Sequence, residues 1–266
     1  MSADTTKPYF SPSQLELAGK CPEAYRRRYI EGEKIPPGIA MLKGTGVDGG
    51  AHVNFLQKIE THSDLPTDEI VDAAVAKFDA ELKGGYQLDE HEQSVGATKV
   101  IGQARDDVAD MAECHARLQA PDYQPLGVQE QFRIELPGPR DVYGVIDLRD
   151  NKKRVTDFKT AKKSKSQNDA DDSLQLTVYA AAHQAITGEP PSLVRLDTIV
   201  QTSKETKRQV LDSKRGPEDY NALANRLNAL SGMIVAGNFP PTTPGAWWCD
   251  PKWCGYHATC PYVRHR

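Results

Sequence analysis

The middle of the chain changes from helical to strand periodicity, and this change restricts the fold more than any other feature. The segments VQEQFRIEL, DVYGVIDLRD and KRVTDFKTA have the composition and alternation of half-buried strands. The last two flank a tight turn at Asp150–Asn151, which predicts a β-hairpin. A helical segment, SLQLTVYAAAHQAITG, and a second strand pair, LVRLDTIVQ and KRQVLD, come next. This order predicts an α/β fold with a mixed central sheet flanked by helices.

The first half of the chain is predicted to be mainly helical. SPSQLELAGKCPEAYRRRYI predicts two short helices, with Ser11 as the cap of the first and Pro12 at its first helical position. Residues 67–83 and 93–119 show helical spacing of their apolar residues. Between these regions lies a glycine-rich segment, which we expect to become helical from about Gly50 onward.

Neither an internal repeat nor a convincing linker divides the 266 residues. We therefore predict a single domain with a helical insertion near its N-terminus and a cysteine cluster near its C-terminus. Its segments are a mainly helical part at 1–125, a core at 126–212, and a helix with a cysteine-rich tail at 213–266. The sequence lacks a run of eighteen apolar residues and begins without a secretion signal, so we expect a cytoplasmic protein without a membrane partner.

Two aspartates and a lysine meet on the predicted hairpin. Asp157 and Lys159 are two apart on one strand and therefore face the same side, and Asp147 can lie beside them on the neighbouring strand. Carboxylates bind hard cations such as Mg²⁺, which activate water and neutralise charge developing on a phosphate. A lysine can orient that water or stabilise the transition state. The alternative is an exposed strand face that carries salt bridges.

The helix after the hairpin adds Gln175 and Tyr179, which are four residues apart and share one face. The pattern G-x-x-D, then D-x-K, then Q-x-x-x-Y resembles the PD-(D/E)XK nuclease superfamily. More narrowly, it resembles the RecB-like exonuclease branch, which includes CRISPR-associated and phage-encoded single-domain members. The residues that match are Gly144, Asp147, Asp157, Lys159, Gln175 and Tyr179.

The resemblance implies a restriction-endonuclease-like fold and a role for each matching residue. Mg²⁺ or Mn²⁺ would be bound by His52, Asp147, Asp157 and the backbone carbonyl of Phe158, with Glu130 as an additional candidate. Lys159 would position the attacking water. Gln175 and Tyr179 would orient the DNA backbone or the catalytic side chains. The sequence departs from the family pattern at Ile146, where a proline commonly precedes the first aspartate.

Three cysteines lie close together near the end of the chain, at Cys249, Cys254 and Cys260. Zinc is the usual metal for clustered cysteines, but the spacing C-x4-C-x5-C contains no C-x2-C pair. Candidates for a fourth ligand are Cys21, which precedes a helix, and His257. Cys114 lies on an apolar helix face, and we expect it in the core.

The distribution of these cysteines resembles the iron–sulfur site of the RecB-like exonucleases, in which a 4Fe-4S cluster joins the two ends of the chain. That resemblance implies a structural cluster held by Cys21, Cys249, Cys254 and Cys260. A zinc ion or a vacant site remains the alternative.

Basic residues flank the predicted site although the net charge is −4. Such residues can follow a phosphate backbone. We predict DNA contacts from two groups: Arg26, Arg27 and Arg28 after the first cysteine, and Lys162, Lys163 and Lys165 after the catalytic lysine.

The function predicted from the sequence is that of a metal-dependent DNA exonuclease that acts on single strands or DNA ends. Its context would be recombination, repair, phage DNA metabolism or CRISPR adaptation, with proteins of those pathways as candidate partners. Two alternatives remain open. One is a DNA-end-binding or adaptor subunit that has kept the fold, and the other is a zinc-stabilised interaction protein.

Overall fold

The structure is a computed structural model that describes residues 7–136 and 139–264. The chain forms two compact units, each assembled from segments that are separate in the sequence. Unit 1 contains the described parts of Met1–Ile35, Arg133–Gly144 and Gly216–Arg266. Unit 2 contains Pro36–Phe132 and Val145–Arg215. The assignment of the whole chain to a single domain stays a prediction.

Six strands of the described residues form one mixed sheet, in the order β1-β3-β4-β5-β6, with β2 also paired to β3. The pairs β1–β3 and β4–β5 are parallel, whereas β3–β4 and β5–β6 are antiparallel. This confirms the predicted mixed sheet, its hairpin and its second strand pair. The strands are β1 at Tyr9–Phe10, β2 at Pro125–Ile134, β3 at Asp141–Asp150, β4 at Arg154–Ala161, β5 at Leu193–Gln201 and β6 at Thr206–Ser213.

Helices account for most of the other described residues. They are α1 at Pro12–Lys20, α2 at Pro22–Tyr25, α3 at Ile39–Thr61, α4 at Thr67–Leu82, α5 at Glu90–Val95, α6 at Ala97–Cys114, α7 at Gln167–Asp171, α8 at Leu174–Thr187 and α9 at Pro217–Ala236. In the part of the chain that the structure describes, we find no helix with the length and apolarity that crossing a membrane requires.

The glycine-rich segment is helical throughout, so the predicted start near Gly50 is wrong. α3 begins at Ile39 and carries Gly46, Gly49 and Gly50 on the side that packs against α4. A Cβ atom at Gly46 would lie 2.9 Å from the Cβ of Phe78, and one at Gly50 would lie 2.6 Å from the carbonyl oxygen of Ile70. The glycines lower helix propensity, but they allow an approach between α3 and α4 that larger residues would prevent.

Two further elements differ from the prediction. The helical spacing at 93–119 is interrupted at Gly96, whose φ of 94° lies in the left-handed region and separates α5 from α6. The loop after β4 contains the short helix α7, which Ser166 begins through a capping box with Asp169. The helix predicted from SLQLTVYAAAHQAITG is present as α8, which Ser173 caps and Gly188 ends.

The core of unit 2 includes an aromatic cluster beside the hairpin. The ring of Phe55 on α3 stacks on that of Phe158 on β4, with 5.6 Å between the centroids. Tyr123 contacts both rings edge to face. Buried Leu148 on β3 belongs to the same cluster. α3 is therefore packed against the hairpin, and the residues on its inner face approach β4.

Unit 1 combines the two short N-terminal helices with α9 and an irregular tail. Ser11 accepts a hydrogen bond from the backbone N–H of Gln14, which confirms the predicted cap of α1. The rings of Tyr25 and Phe239 are stacked, with 6.3 Å between their centroids. The described part of the tail, residues 238–264, consists of turns and the short 3₁₀ helix His257–Thr259.

Candidate active site and cysteine cavity

The hairpin brings the two predicted catalytic aspartates to the end of its paired region. Leu148 on β3 pairs with Thr156 on β4, and the next residues along each strand are Asp147 and Asp157. The backbone N–H of Phe158 donates a hydrogen bond to Oδ2 of Asp147, at 2.9 Å. Asp157 is only 1% exposed. The fold thus fixes both carboxylates at one position in unit 2.

A closed hydrogen-bond network joins this pair to Lys159 and α8. Nζ of Lys159 donates to Oδ1 of Asp157 at 2.7 Å and to Oε1 of Gln175 at 3.0 Å. Nε2 of Gln175 donates to the hydroxyl oxygen of Tyr179 at 2.7 Å. The Tyr179 hydroxyl in turn donates to Oδ1 of Asp147 at 3.0 Å. The structure therefore brings all five predicted catalytic residues into contact.

The electrostatics of this network show an excess of negative charge. Burial raises the pKa of Asp157 above the value of an ordinary aspartate; the ammonium of Lys159 acts against this rise, and the Asp147 carboxylate adds to it. Burial also raises the pKa of Tyr179, and the carboxylates of Asp147 and Asp157 raise it further. Tyr179 is thus held as a neutral phenol, which can donate its proton to Asp147.

Two of the other predicted metal ligands lie in different surroundings. Nδ1 of His52 is buried and has no hydrogen-bond partner among the described residues. Glu130 is paired with the guanidinium of Arg149 through two hydrogen bonds, of 2.5 and 3.0 Å. That pairing competes with a cation for the Glu130 carboxylate. The participation of Phe158 through its carbonyl stays a prediction.

Asp48 is a further carboxylate near the site, and the sequence analysis missed it. Burial raises its pKa to about 6; Asp147 adds to this rise, while Lys159 and Lys77 oppose it. Nε2 of Gln129 donates to Oδ2 of Asp48 at 2.7 Å. The spacing between Asp48 and His52 is the sequence signal that could have identified it. The two residues are four apart and therefore lie on the same face of α3.

The predicted DNA-binding lysines lie in the segment directly after Lys159. Lys162 and Lys163 are exposed to solvent. The backbone N–H and carbonyl of Lys165 both bond to the side-chain amide of Gln209, at 2.7 and 2.9 Å, which anchors the segment to β6. Two exposed ammonium groups are therefore held on a fixed backbone.

The predicted DNA-binding arginines lie in unit 1, on a π-helical turn at Arg26–Ile30. Arg26 is paired with Glu23 and Glu31. Arg27 is buried and donates hydrogen bonds to Glu33, to the carbonyl of Tyr256 and to the hydroxyl of Thr259. These contacts give Arg27 a structural role in holding the tail. Contact of any of the three arginines with DNA stays a prediction.

The four cysteines assigned to the cluster line one cavity of unit 1, with a volume of about 740 Å³. Burial raises the pKa of Cys249 and of Cys254, and for both thiols Cys21 and Cys260 contribute to the rise. The thiols are therefore near one another, although Cys21 is distant in the sequence. His257 lines the same cavity.

Cys114 lies in unit 2, in the apolar core formed by α3, α4 and α6, as the sequence predicted. Across the described ranges 7–136 and 139–264, no three His, Cys, Asp or Glu side chains are grouped as a site ready to hold a single metal ion. The assignments of a metal to the carboxylates and of a cluster to the cysteines therefore stay predictions.

Solved structures that are similar to this chain include the following two. A crystal structure of a "Putative exonuclease" from Eubacterium rectale is 14% identical and has a TM-score of 0.56, with coverage of 100% of this chain and 92% of that chain. At this identity, the likeness shows the fold alone. A crystal structure of the protein SSO0001 is 15% identical, covers 81% of this chain and 97% of that chain, and has a TM-score of 0.36, too low to support an argument.

Sequence comparisons identify the family. A search of curated proteins found no match. The sequence profile of the PD-(D/E)XK nuclease superfamily matches residues 9–261, which include the aspartates and the lysine of the hairpin as well as the helix that supports them. The match covers almost the entire chain, so this protein belongs to the PD-(D/E)XK nuclease superfamily.

Proposed function

We propose that this protein is a metal-dependent deoxyribonuclease, which hydrolyses phosphodiester bonds from the ends of DNA, preferably single-stranded. The observation that carries the proposal is the closed network in which Lys159, Gln175 and Tyr179 hold Asp147 and Asp157 together. A salt-bridged surface strand would not require a buried aspartate, because exposed ion pairs contribute little to stability. A buried carboxylate with a raised pKa, such as that of Asp157, is typical of a catalytic or metal-binding site.

The residues of the site fit a divalent cation such as Mg²⁺ or Mn²⁺. Asp147 and Asp157 supply oxygen ligands of the kind that these ions prefer, and the orphaned Nδ1 of His52 can serve as a nitrogen ligand. When bound, the cation would supply an activated water and neutralise charge on the scissile phosphate. Glu130 is the weakest candidate ligand because Arg149 already pairs with it.

The side chains around the two aspartates have separate roles in this proposal. The side chain of Lys159 is 41% exposed, so its ammonium can donate to a water or a phosphate oxygen while it remains bonded to buried Asp157. Gln175 fixes both Lys159 and Tyr179, and Tyr179 fixes Asp147. Such contacts hold the reacting groups in a productive geometry, which is a large part of catalysis.

DNA would be held in part by Lys162 and Lys163, which follow the catalytic strand and are exposed. Contacts from lysines to phosphates are independent of sequence and weaken with salt. This supports an enzyme that accepts many DNA sequences rather than one that recognises a specific site.

We further propose that Cys21, Cys249, Cys254 and Cys260 hold a 4Fe-4S cluster, which places the protein in the RecB-like branch. The proposal is supported by their position around a single cavity. The pKa values of Cys249 and Cys254 are raised while their thiols are protonated, and a metal that replaces these protons would be stabilised by thiolate ligands. The cluster would be structural, because the tail has little regular structure of its own. Zinc on the same residues is the alternative.

The experiment combines anaerobic purification with nuclease assays. The absorbance spectrum and the iron, sulfide and zinc content identify the metal in the cysteine cavity. End-labelled linear DNA and circular single-stranded DNA are then incubated with Mg²⁺ or Mn²⁺ and the wild type, Asp157→Ala or Asp172→Asn. Asp172 is an exposed aspartate in the same unit and provides the matched control.

We expect the wild type and Asp172→Asn to digest linear DNA and to leave circles intact, while Asp157→Ala is inactive. Equal activity of wild type and Asp157→Ala would overturn the proposed mechanism. Cleavage of circles would show an endonuclease. A colourless sample loaded with zinc would replace the cluster by the zinc alternative without affecting the proposal for the hydrolytic site.

A further inference from the structure

Asp48 is a partly buried carboxylate for which the proposed mechanism has no role. It lies on α3, one turn before His52, and the same stretch of helix is packed along β4. At one end of this stretch, a Cβ atom on Gly44 would lie 3.2 Å from Oγ1 of Thr160. At the other end, the ring of Phe55 stacks on Phe158. The helix therefore brings Asp48 close to β4, the strand that carries Asp157 and Lys159.

The backbone of β2 is distorted where it meets Asp48. Gln129 has a φ of 44°, a left-handed conformation that is rare for a residue with a side chain. From this position, its amide donates to Oδ2 of Asp48 at 2.7 Å. Strain of this kind is found mainly where a functional group must be held in place.

The charges around Asp48 show which group it serves. Asp48 is repelled by the carboxylate of Asp147 and attracted by the ammonium of Lys159. Together with Asp157, three carboxylates share this region with the ammonium of Lys159, whereas Glu130 is neutralised by Arg149. This arrangement favours the binding of a divalent cation.

We propose that Asp48, oriented by Gln129, is a ligand of the divalent cation at the active site, together with Asp147. The inference rests on the proposed nuclease function and extends it by one ligand from a different element of the fold. A purely structural Asp48 would serve only to accept the hydrogen bond from Gln129. The two roles differ in what happens to cation affinity when the charge is removed but the hydrogen bond is kept.

The test is a Mn²⁺ titration of the metal-depleted full-length protein at pH 8, in which electron paramagnetic resonance measures free Mn²⁺. Asp48→Asn removes the charge and retains an oxygen that can accept from Gln129. Glu60→Gln is the matched control, since Glu60 is an exposed acid on the same helix. We expect Asp48→Asn to weaken Mn²⁺ binding about tenfold or more, and Glu60→Gln to leave the affinity within twofold of wild type.

An Asp48→Asn protein that binds Mn²⁺ within twofold of wild type would overturn the inference. Asp48→Glu provides a second variant if the asparagine protein is not folded by circular dichroism, and it should retain measurable Mn²⁺ binding where Asp48→Ala does not. Equal affinity of the glutamate and alanine variants would also overturn it.

Asp157→Asn separates this inference from the function on which it rests. If Asp157→Asn loses Mn²⁺ binding and Asp48→Asn does not, only the role of Asp48 is wrong. If neither variant changes the affinity, the proposed cation site itself is wrong, and the role of Asp48 falls with it.

Discussion

The hydrogen-bond network proposed as the catalytic site in unit 2 and the cysteine cavity of unit 1 are organised in opposite ways. In the network, the side chains bond to one another, from Lys159 through Gln175 and Tyr179 to Asp147. In the cavity, the four cysteines surround an open volume of about 740 Å³, and Cys21 and Cys260 contribute to the raised pKa values of Cys249 and Cys254. The side chains of the network hold one another in place by hydrogen bonds. The cysteines of the cavity instead line an open volume.

This difference shows what a bound metal contributes in each place. The network already has its shape, and a cation would add chemistry and charge balance to it. The cavity belongs to a tail with little regular structure, so a bound cluster would stabilise the fold of the tail. Loss of metal should therefore abolish activity in unit 2 and abolish order in the tail of unit 1. Four predictions test this contrast.

The largest effect is expected for Asp157→Asn. Removal of the charge should reduce the rate of DNA hydrolysis by about 10³-fold, because the site loses a cation ligand and the partner of Lys159. In the metal-free protein, the same change should increase the free energy of unfolding above neutral pH. The pKa of Asp157 is higher in the folded state, so the folded protein binds more protons and loses stability as the pH rises through this range.

Initial rates and thermal unfolding between pH 5 and pH 9 in the presence of a chelator measure both effects. Asp172→Asn should change neither. An Asp157→Asn protein that is less stable than wild type at pH 8, or equally active, would show that the buried carboxylate serves the fold and not the chemistry.

Cys21→Ser should produce the next largest effect, and it should be confined to unit 1. Loss of one of the four thiols should remove the visible absorbance of the cluster and expose the tail to proteases. Cys114→Ser is the control, since that thiol lies in an apolar core and should leave the absorbance unchanged. Limited proteolysis followed by mass spectrometry locates the cuts. Protection of the tail equal to that of wild type would mean that the cluster is not what orders it.

Tyr179→Phe should have an intermediate effect of about tenfold on kcat, with little change in KM. The variant keeps the ring but removes the hydroxyl that donates to Asp147 and accepts from Gln175. Thr187→Val, at the other end of α8, is the control for a lost hydroxyl. Steady-state kinetics on a short single-stranded substrate measure kcat and KM separately. A change in KM alone would assign Tyr179 to substrate binding.

The smallest effect is expected when Lys162, Lys163 and Lys165 are all replaced by glutamine. DNA binding should weaken, and the dependence of log K on log salt should become shallower by about 2, since each phosphate contact on a single strand contributes about 0.7. Fluorescence anisotropy at several salt concentrations measures this slope. Replacement of Lys204 and Lys207, which lie in and after the β5–β6 turn, is the matched control. An unchanged slope in the first variant would remove this segment from the DNA path.

The predictable parts of the molecule are those in which the signal is local. The β3–β4 hairpin and the helix α8 each depend on residues that are adjacent in the sequence. The residues of the D-x-K strand and of the Q-x-x-x-Y helix are separated by the repeat of their own element. They could therefore be identified from the sequence alone. Local periodicity was sufficient because burial and hydrogen bonding along one element follow that element's own repeat.

The parts that could not be predicted depend on contacts between distant segments. The glycines of α3 look like a loop until α4 is placed beside them, at which point their missing side chains become the reason for a helix. Asp48 depends on the path of that helix and on the unusual backbone of Gln129. The pairing of Glu130 with Arg149 joins β2 to β3 and cannot be predicted from either strand alone.

The discontinuous composition of unit 1 has a consequence for biosynthesis. All residues of unit 2 have been translated once the ribosome has passed Arg215, whereas unit 1 needs segments on both sides of that point. Domains commonly fold in the order of their synthesis. In a nascent chain, unit 2 could therefore be folded before Cys249, Cys254 and Cys260 have been translated. Cys21 would at that stage lack the other three cysteines of the proposed cluster. Insertion of the proposed cluster would then follow the folding of unit 2 and would occur only in polypeptides that have been translated beyond Cys260.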